Sequence, residues 1–200
     1  MVFDSLQDFF VNMPKDQVVV VYGEPATGKT TLALQAVLGV LRKGGKVFYI
    51  DSENSFSLNR LRLMDVGFER YLDNLIVMKP KSMKEQEEMI VNLPVKCGLV
   101  VLDSLSKHYR RELKTSYNDA NNSVITQLRK LHKYVDVDIP VIITNQVYAT
   151  MDTGVRAVGG DMLKRWSKIF IKLDKNPRRF VLEKPVEKEF EFKIVDEGLV

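Results

Sequence analysis

The 200-residue sequence predicts an α/β fold. A mostly parallel, twisted sheet carries helices on both faces, with an antiparallel extension at the C-terminal end. Two observations carry this expectation. Short, continuous apolar runs at Val18–Tyr22, Val47–Ile50, Leu75–Met78, Leu99–Leu102 and Val141–Thr144 are separated by helix-length segments. Alternation of that kind describes right-handed βαβ units whose strands are buried on both faces. In the last third the apolar runs Ile169–Leu173, Arg179–Glu183 and Phe190–Val195 crowd together around Asn176-Pro177 and Pro185, as in hairpin-connected strands.

Composition sets the frame. A hydrophobic fraction of 45% and a charged fraction of 28% suit one globular domain spanning residues 1–200. No run approaches the roughly 20 apolar residues that cross a bilayer, and no basic segment precedes the first apolar residues as in a secretory signal. An intracellular protein is expected. Cys97 stands alone, which leaves no partner for an intrachain disulfide and suits a core-filling role. A formal net charge of +4 permits nucleic-acid binding without requiring it.

Along the chain, Val2, Phe3, Leu6, Phe9, Phe10 and Met13 recur at helical spacing, giving an amphipathic N-terminal helix within residues 1–14 that Pro14 helps to end. After Val18–Tyr22 comes Gly23-Glu24-Pro25-Ala26-Thr27-Gly28-Lys29-Thr30, which fits G-x-x-x-x-G-K-[ST]. Strand before and helix after make this a phosphate-binding loop: glycines let backbone N–H groups approach phosphate oxygens at a helix N-terminus. Lys29 then reaches the β- and γ-phosphates, the Thr30 hydroxyl ligates Mg²⁺, and Thr31 donates to the α-phosphate. The helix itself is read from Leu32, Ala33, Ala36, Val37, Val40 and Leu41, with Gly44-Gly45 as its stop.

Three further strand ends carry polar groups. Asp103 closes Gly98–Leu102, a strand expected beside the phosphate-loop strand, and either supports the Mg²⁺ shell or caps a core strand. Glu53, after Ile50-Asp51-Ser52, either deprotonates an attacking water, if its strand neighbours the phosphate loop, or is an acidic residue at a helix start. Gln146, in Thr144-Asn145-Gln146-Val147, either senses a γ-phosphate or is a surface amide.

Taken together and in this order, the motifs at 23–31, 49–53, 99–103 and 144–147, followed by Val158-Gly159-Gly160 and Trp166-Ser167, resemble the RecA/RadA recombinase family, most closely a short archaeal branch of it. The similarity runs from about Val18 to the C-terminus. It implies a RecA-type ATPase core with ATP and Mg²⁺ as cofactors, Glu53 as the catalytic glutamate beside Lys29, and Gln146 as the γ-phosphate sensor. Arg60 matches an arginine of the family pattern. The segment Lys107–Ser123, with Tyr109, Arg110, Arg111 and Lys114, takes the place of the first DNA-binding loop, and Tyr148–Gly159, with Arg156, that of the second. Basic residues in flexible segments suit phosphate contact, and an interleaved tyrosine suits base stacking.

The sequence also departs from the family pattern. Met1–Gln17 alone precede the first strand, no aromatic-x-x-Ala segment is visible there, and the second loop is short. The resemblance therefore implies an accessory or mediator protein of homologous recombination and DNA repair: a weak ATPase that binds single-stranded or branched DNA without strand exchange of its own. Its partners would be the recombinase RadA and enzymes that process branched DNA, its location nucleoid-associated in the cytoplasm. A homo-oligomer in which Pro185–Glu191 caps a neighbour's nucleotide is compatible with the pattern. The alternatives are an active DNA-dependent ATPase or recombinase, and a RecA-like ATPase whose basic loops meet only protein partners.

Overall fold

The computed structural model describes residues 3–150 and 154–200. Its centre is an eight-stranded sheet in the order β10-β9-β8-β1-β5-β4-β2-β3. The strands are β1 (Val18–Gly23), β2 (Val47–Asp51), β3 (Leu75–Met78), β4 (Leu99–Asp103), β5 (Val141–Asn145), β8 (Ile169–Leu173), β9 (Arg179–Lys184) and β10 (Lys188–Glu191). Every pairing from β8 across to β3 is parallel, whereas β9 and β10 run antiparallel. The expected α/β class and its antiparallel C-terminal extension are both present.

The apolar runs read as two-faced strands because both faces are covered. In β1, Val19 and Val21 join one core and Val18, Val20 and Tyr22 the other. The first core lies under α1 (Leu6–Val11), α2 (Lys29–Leu41) and α3 (Leu58–Met64). The second lies under α4 (Met83–Asn92), α5 (Ser106–Glu112), α6 (Tyr117–Val135) and α7 (Gly160–Trp166). Helix α6 shows the pattern clearly, since Ala120, Val124, Leu128, Leu131 and Val135 recur every three or four residues and are buried. Cys97 is partly buried against the second core, and burial pushes its thiol up to about 11.

The N-terminal helix is shorter than its apolar periodicity predicts. Ser5 is extended and its hydroxyl accepts from the Asp8 amide, so the cap starts the helix at Leu6 and leaves Phe3 outside. Phe3 is nevertheless fully buried edge-on to Phe9, which reaches Phe180 on β9. The last strand also differs from the expected Phe190–Val195. Pairing with β9 covers Lys188–Glu191, while β11 (Ile194–Val195) forms a separate ribbon with β12 (Gly198–Leu199). A further ribbon, β6 (Val147–Thr150) with β7 (Gly154–Ala157), leaves the end of β5.

One expected neighbour is not adjacent, and the condition set for Glu53 is not met. β5 lies between β1 and β4, so the Asp103 strand does not flank the phosphate-loop strand, and β2 is one strand further out. β1, β2, β4 and β5 are parallel and so still end at one edge of the sheet, which brings their terminal side chains together.

Candidate functional site

At that edge the loop from Gly23 to Gly28 turns β1 into α2. Gly23 passes so near β8 that a Cβ would lie 2.4 Å from the Leu173 carbonyl oxygen, which excludes any larger residue. Gly28, at φ 106°, is the helix N-cap and supplies no side-chain acceptor, and the first turn of α2 holds no acidic residue. The opening N–H groups of this 13-residue helix are therefore uncapped by side chains and suited to an anion. Lys29 curls over the loop, donating to the carbonyl oxygens of Gly23 at 2.8 Å and Glu24 at 2.7 Å. Thr27 is buried and its hydroxyl donates to the Glu24 carbonyl, which pins the loop from inside.

Two cations from the β8–β9 connection hold the loop from outside. Lys175 pairs with Glu24 at 2.7 Å, holding that carboxyl below its usual range, and Arg178 donates to the Ala26 carbonyl. Lys29 itself is pushed down to about 8, chiefly by burial, against the opposing pull of Asp103, Glu53 and Glu24.

Asp103 is buried and caged by hydroxyls. Oδ2 accepts from Thr30 at 2.9 Å, Tyr49 at 2.6 Å and Ser55 at 3.3 Å, and Oδ1 accepts from Thr144. Four hydrogen bonds to one carboxylate account for its burial. Tyr49 is pushed well above its ordinary range by desolvation first and by Asp103 second. Beside this cage, Glu53 Oε1 accepts from both Ser104 Oγ and Gln146 Nε2, the latter at 2.8 Å. Arg110 of α5 donates to Gln146 Oε1 at 3.0 Å, and the Gln146 amide donates to Ser106 Oγ at 3.0 Å.

The donor set fits a hard cation as far as it goes. Thr30 Oγ1 and Asp103 Oδ2 are adjacent, and both are oxygen donors. Among the described residues no group of three or more His, Cys, Asp or Glu could hold a metal. An ion here would complete its shell with water and phosphate oxygens, as Mg²⁺ commonly does.

The RecA N-terminal domain family model matches residues 10–199. The chain is 33% identical to the DNA repair and recombination protein RadB of Methanococcus maripaludis strain C7, covering 94% of this chain and 93% of that protein. RadB of Methanobrevibacter smithii is 32% identical over 98% of this chain and 92% of that protein. A crystal structure of the RadB recombinase superposes with a TM-score of 0.75 at 33% identity, covering 93% of this chain and 90% of that one. The chain belongs to the RadB family.

RadB-family membership places this chain among DNA repair and recombination proteins. Among the described residues no helix is long and apolar enough to cross a membrane. Of the segments expected to meet DNA, Lys107–Ser123 is not a flexible loop: it is α5, a short connection and the first turns of α6. Tyr109 is buried, with its hydroxyl donating to Asn121 at 2.8 Å, so it underlies the surface instead of projecting from it. Arg110, Arg111 and Lys114 are exposed. Arg156 is exposed on β7 opposite Tyr148, and residues 151–153 of the second segment lie outside the described residues. Tyr109, Tyr117, Tyr148 and Arg156 line one cavity of about 420 Å³. Arg60 donates to the Val195 carbonyl at 2.6 Å, in the β11 ribbon whose Ile194 packs against Gly28.

Several participants in this RadB-family site escaped the sequence reading. Tyr49 and Thr144, which share Asp103, and Ser104, which donates to Glu53, sit next to or within motifs already singled out, yet nothing in their identity announces those partners. Lys175 and Arg178 come from a basic turn whose proximity to the loop depends on β8 pairing with β1.

Proposed function

We propose that this chain is an ATP- and DNA-binding accessory protein of homologous recombination, in which bound nucleotide acts mainly as a conformational signal. The observation that carries the proposal is the continuous hydrogen-bonded array Ser104–Glu53–Gln146–Arg110 beside the Thr30–Asp103 pair. Ser104 follows Asp103, the carboxylate that Thr30 contacts, so the array runs from beside the phosphate loop to a cationic helix, as a nucleotide-responsive DNA binder requires.

In this reading Gly23–Gly28 and the α2 amides cradle the phosphates, Lys29 leaves its two carbonyl acceptors for the β- and γ-phosphates, and Thr31 donates to the α-phosphate. Thr30 and Asp103 hold Mg²⁺, whose role is to neutralise charge on the phosphates. Glu53 orients and deprotonates water. Its Oε1 already accepts from Ser104 and Gln146, which orients the carboxylate and leaves the second oxygen to take a water. Gln146, drawn toward a γ-phosphate, would release Arg110 and shift the β6–β7 ribbon that follows it, linking nucleotide state to DNA contact.

The test is a paired assay on the whole chain. Labelled single-stranded DNA should be bound in a salt-dependent manner with ATP present, while homologous substrates give little joint-molecule product. Robust strand exchange by this chain alone would overturn the accessory reading in favour of an active recombinase. Unchanged anisotropy with DNA at low salt, with and without ATP, would overturn the DNA-binding reading and leave protein partners for the basic segments.

A further inference from the structure

A second cavity, of about 460 Å³, opens beside the same sheet edge, with Lys79, Pro80 and Lys81 on one wall and Lys107, His108 and Arg111 on the other. One wall is the connection from β3 to α4, and the other is α5. The walls are tied together: buried His108 donates from Nε2 to the Pro80 carbonyl at 3.0 Å. Burial, with Lys107 and Arg111 nearby, holds this imidazole below its ordinary value against the opposing pulls of the Pro80 hydrogen bond and, more weakly, Glu53.

The four long cations are under-compensated. Lys79 lies 3.7 Å from Asp51, whose carboxylate already accepts from the Ser55 and Phe56 amides. Among the described residues Lys81, Lys107 and Arg111 form no ion pair. Convergent cations without carboxylate partners repel one another until an anion joins them. Lysines offer adaptable point charges and Arg111 a planar fork that matches a phosphate. Pro80 is the single apolar lining residue, so a peptide would find no pocket for an anchoring side chain. The cations also continue along the surface, through exposed Arg110 to Lys114.

We infer that this cavity is a binding site for the phosphodiester backbone of single-stranded DNA, separate from the tyrosine-lined cavity between α6 and β7. The inference rests on the DNA-binding reading proposed above: Lys107 and Arg111 belong to a segment that reading already includes, and the facing wall of Lys79 and Lys81 is the location added to it. Helix α5 serves both places: Ser106 and Arg110, one turn apart, hold Gln146, while Lys107 and Arg111, also one turn apart, face the cavity. A strand seated here therefore grips the helix that positions the candidate sensor.

The test uses the charge-reversed double variant Lys81→Glu/Lys107→Glu, with Arg156→Glu as the comparison for the other cavity. Both lysines are exposed and form no ion pair among the described residues, and circular dichroism and thermal unfolding would check the fold. Anisotropy of a labelled oligothymidylate is read across a salt series, and binding of labelled poly-glutamate in parallel. The expected result is roughly tenfold weaker DNA binding by the double variant and a salt slope shallower by about 0.7 for each lost phosphate contact. Wild-type affinity and slope in the double variant, with Arg156→Glu weakened, would overturn this inference and leave the proposed function standing. Loss of poly-glutamate binding alone would overturn it in favour of an acidic protein partner. No DNA binding by the wild type would remove both.

Discussion

Gln146 Nε2 lies 2.8 Å from Glu53 Oε1, although the residues are 93 positions apart in the chain. An amide that donates to the candidate base at one end and accepts from Arg110 at the other is a three-way junction between water activation, phosphate sensing and a cationic helix. Replacing Glu53 with Gln keeps the shape and removes the charge. Nucleotide affinity should be retained, while any turnover falls by about 10²-fold or more. Equal turnover in a phosphate-release assay would remove Glu53 from the mechanism.

Lys29 gives a pH prediction. Its folded value is about 8 against an ordinary 10.5, because burial disfavours the charged form. Between those values the unfolded chain binds more protons than the folded one, so the cost of the buried charge is relieved as pH rises through this window. Phosphate contact needs the proton. ATP affinity should therefore fall as pH rises above about 8, and binding near pH 8.5 should take up protons, seen by calorimetry in two buffers of different ionisation enthalpy. Lys29→Met should abolish ATP binding, read by nucleotide titration at pH 7.

Tyr49→Phe removes one donor from the buried Asp103 carboxylate and nothing else. The expected cost is about 1–3 kcal/mol of unfolding free energy, read as a lower urea midpoint at unchanged m-value. Stability equal to wild type would mean that Thr30, Ser55 and Thr144 suffice for Asp103.

Gly23→Ala places a methyl 2.4 Å from the Leu173 carbonyl oxygen and 2.9 Å from Thr27 Oγ1. Neither neighbour is a free side-chain end, since one is backbone and the other is bonded to Glu24. The variant should lose about 1–3 kcal/mol and much of its ATP affinity together, because the same loop sets both. Thermal unfolding and nucleotide titration of the one variant check the coupling.

Periodicity exposed what periodicity encodes. Two-faced burial makes β1, β2, β4 and β5 continuous apolar runs, so their positions were legible and their ends marked Asp103, Glu53 and Gln146 as neighbours of an edge. Strand order was not legible. That β5 inserts between β1 and β4 is decided by how the helices share the two faces, and no local pattern records it. The helical state of Lys107–Glu112 was obscured because its charges read as a basic loop, while its buried His108 and Tyr109 are too few to make a periodic stripe.

By itself, the sequence determined the α/β class, the glycine-lysine motif that turns β1 into α2, and the family, because these depend on residue types at fixed short spacings. Tertiary structure alone decided which distant groups meet. Thr144 and Tyr49 reach Asp103, Lys175 and Arg178 clamp the loop, and Arg110 holds Gln146 because parallel pairing brings the strand ends to one edge. The reason is physical: a hydrogen bond or ion pair is set by distance in space, and distance between residues far apart in the chain exists only once the sheet has ordered them.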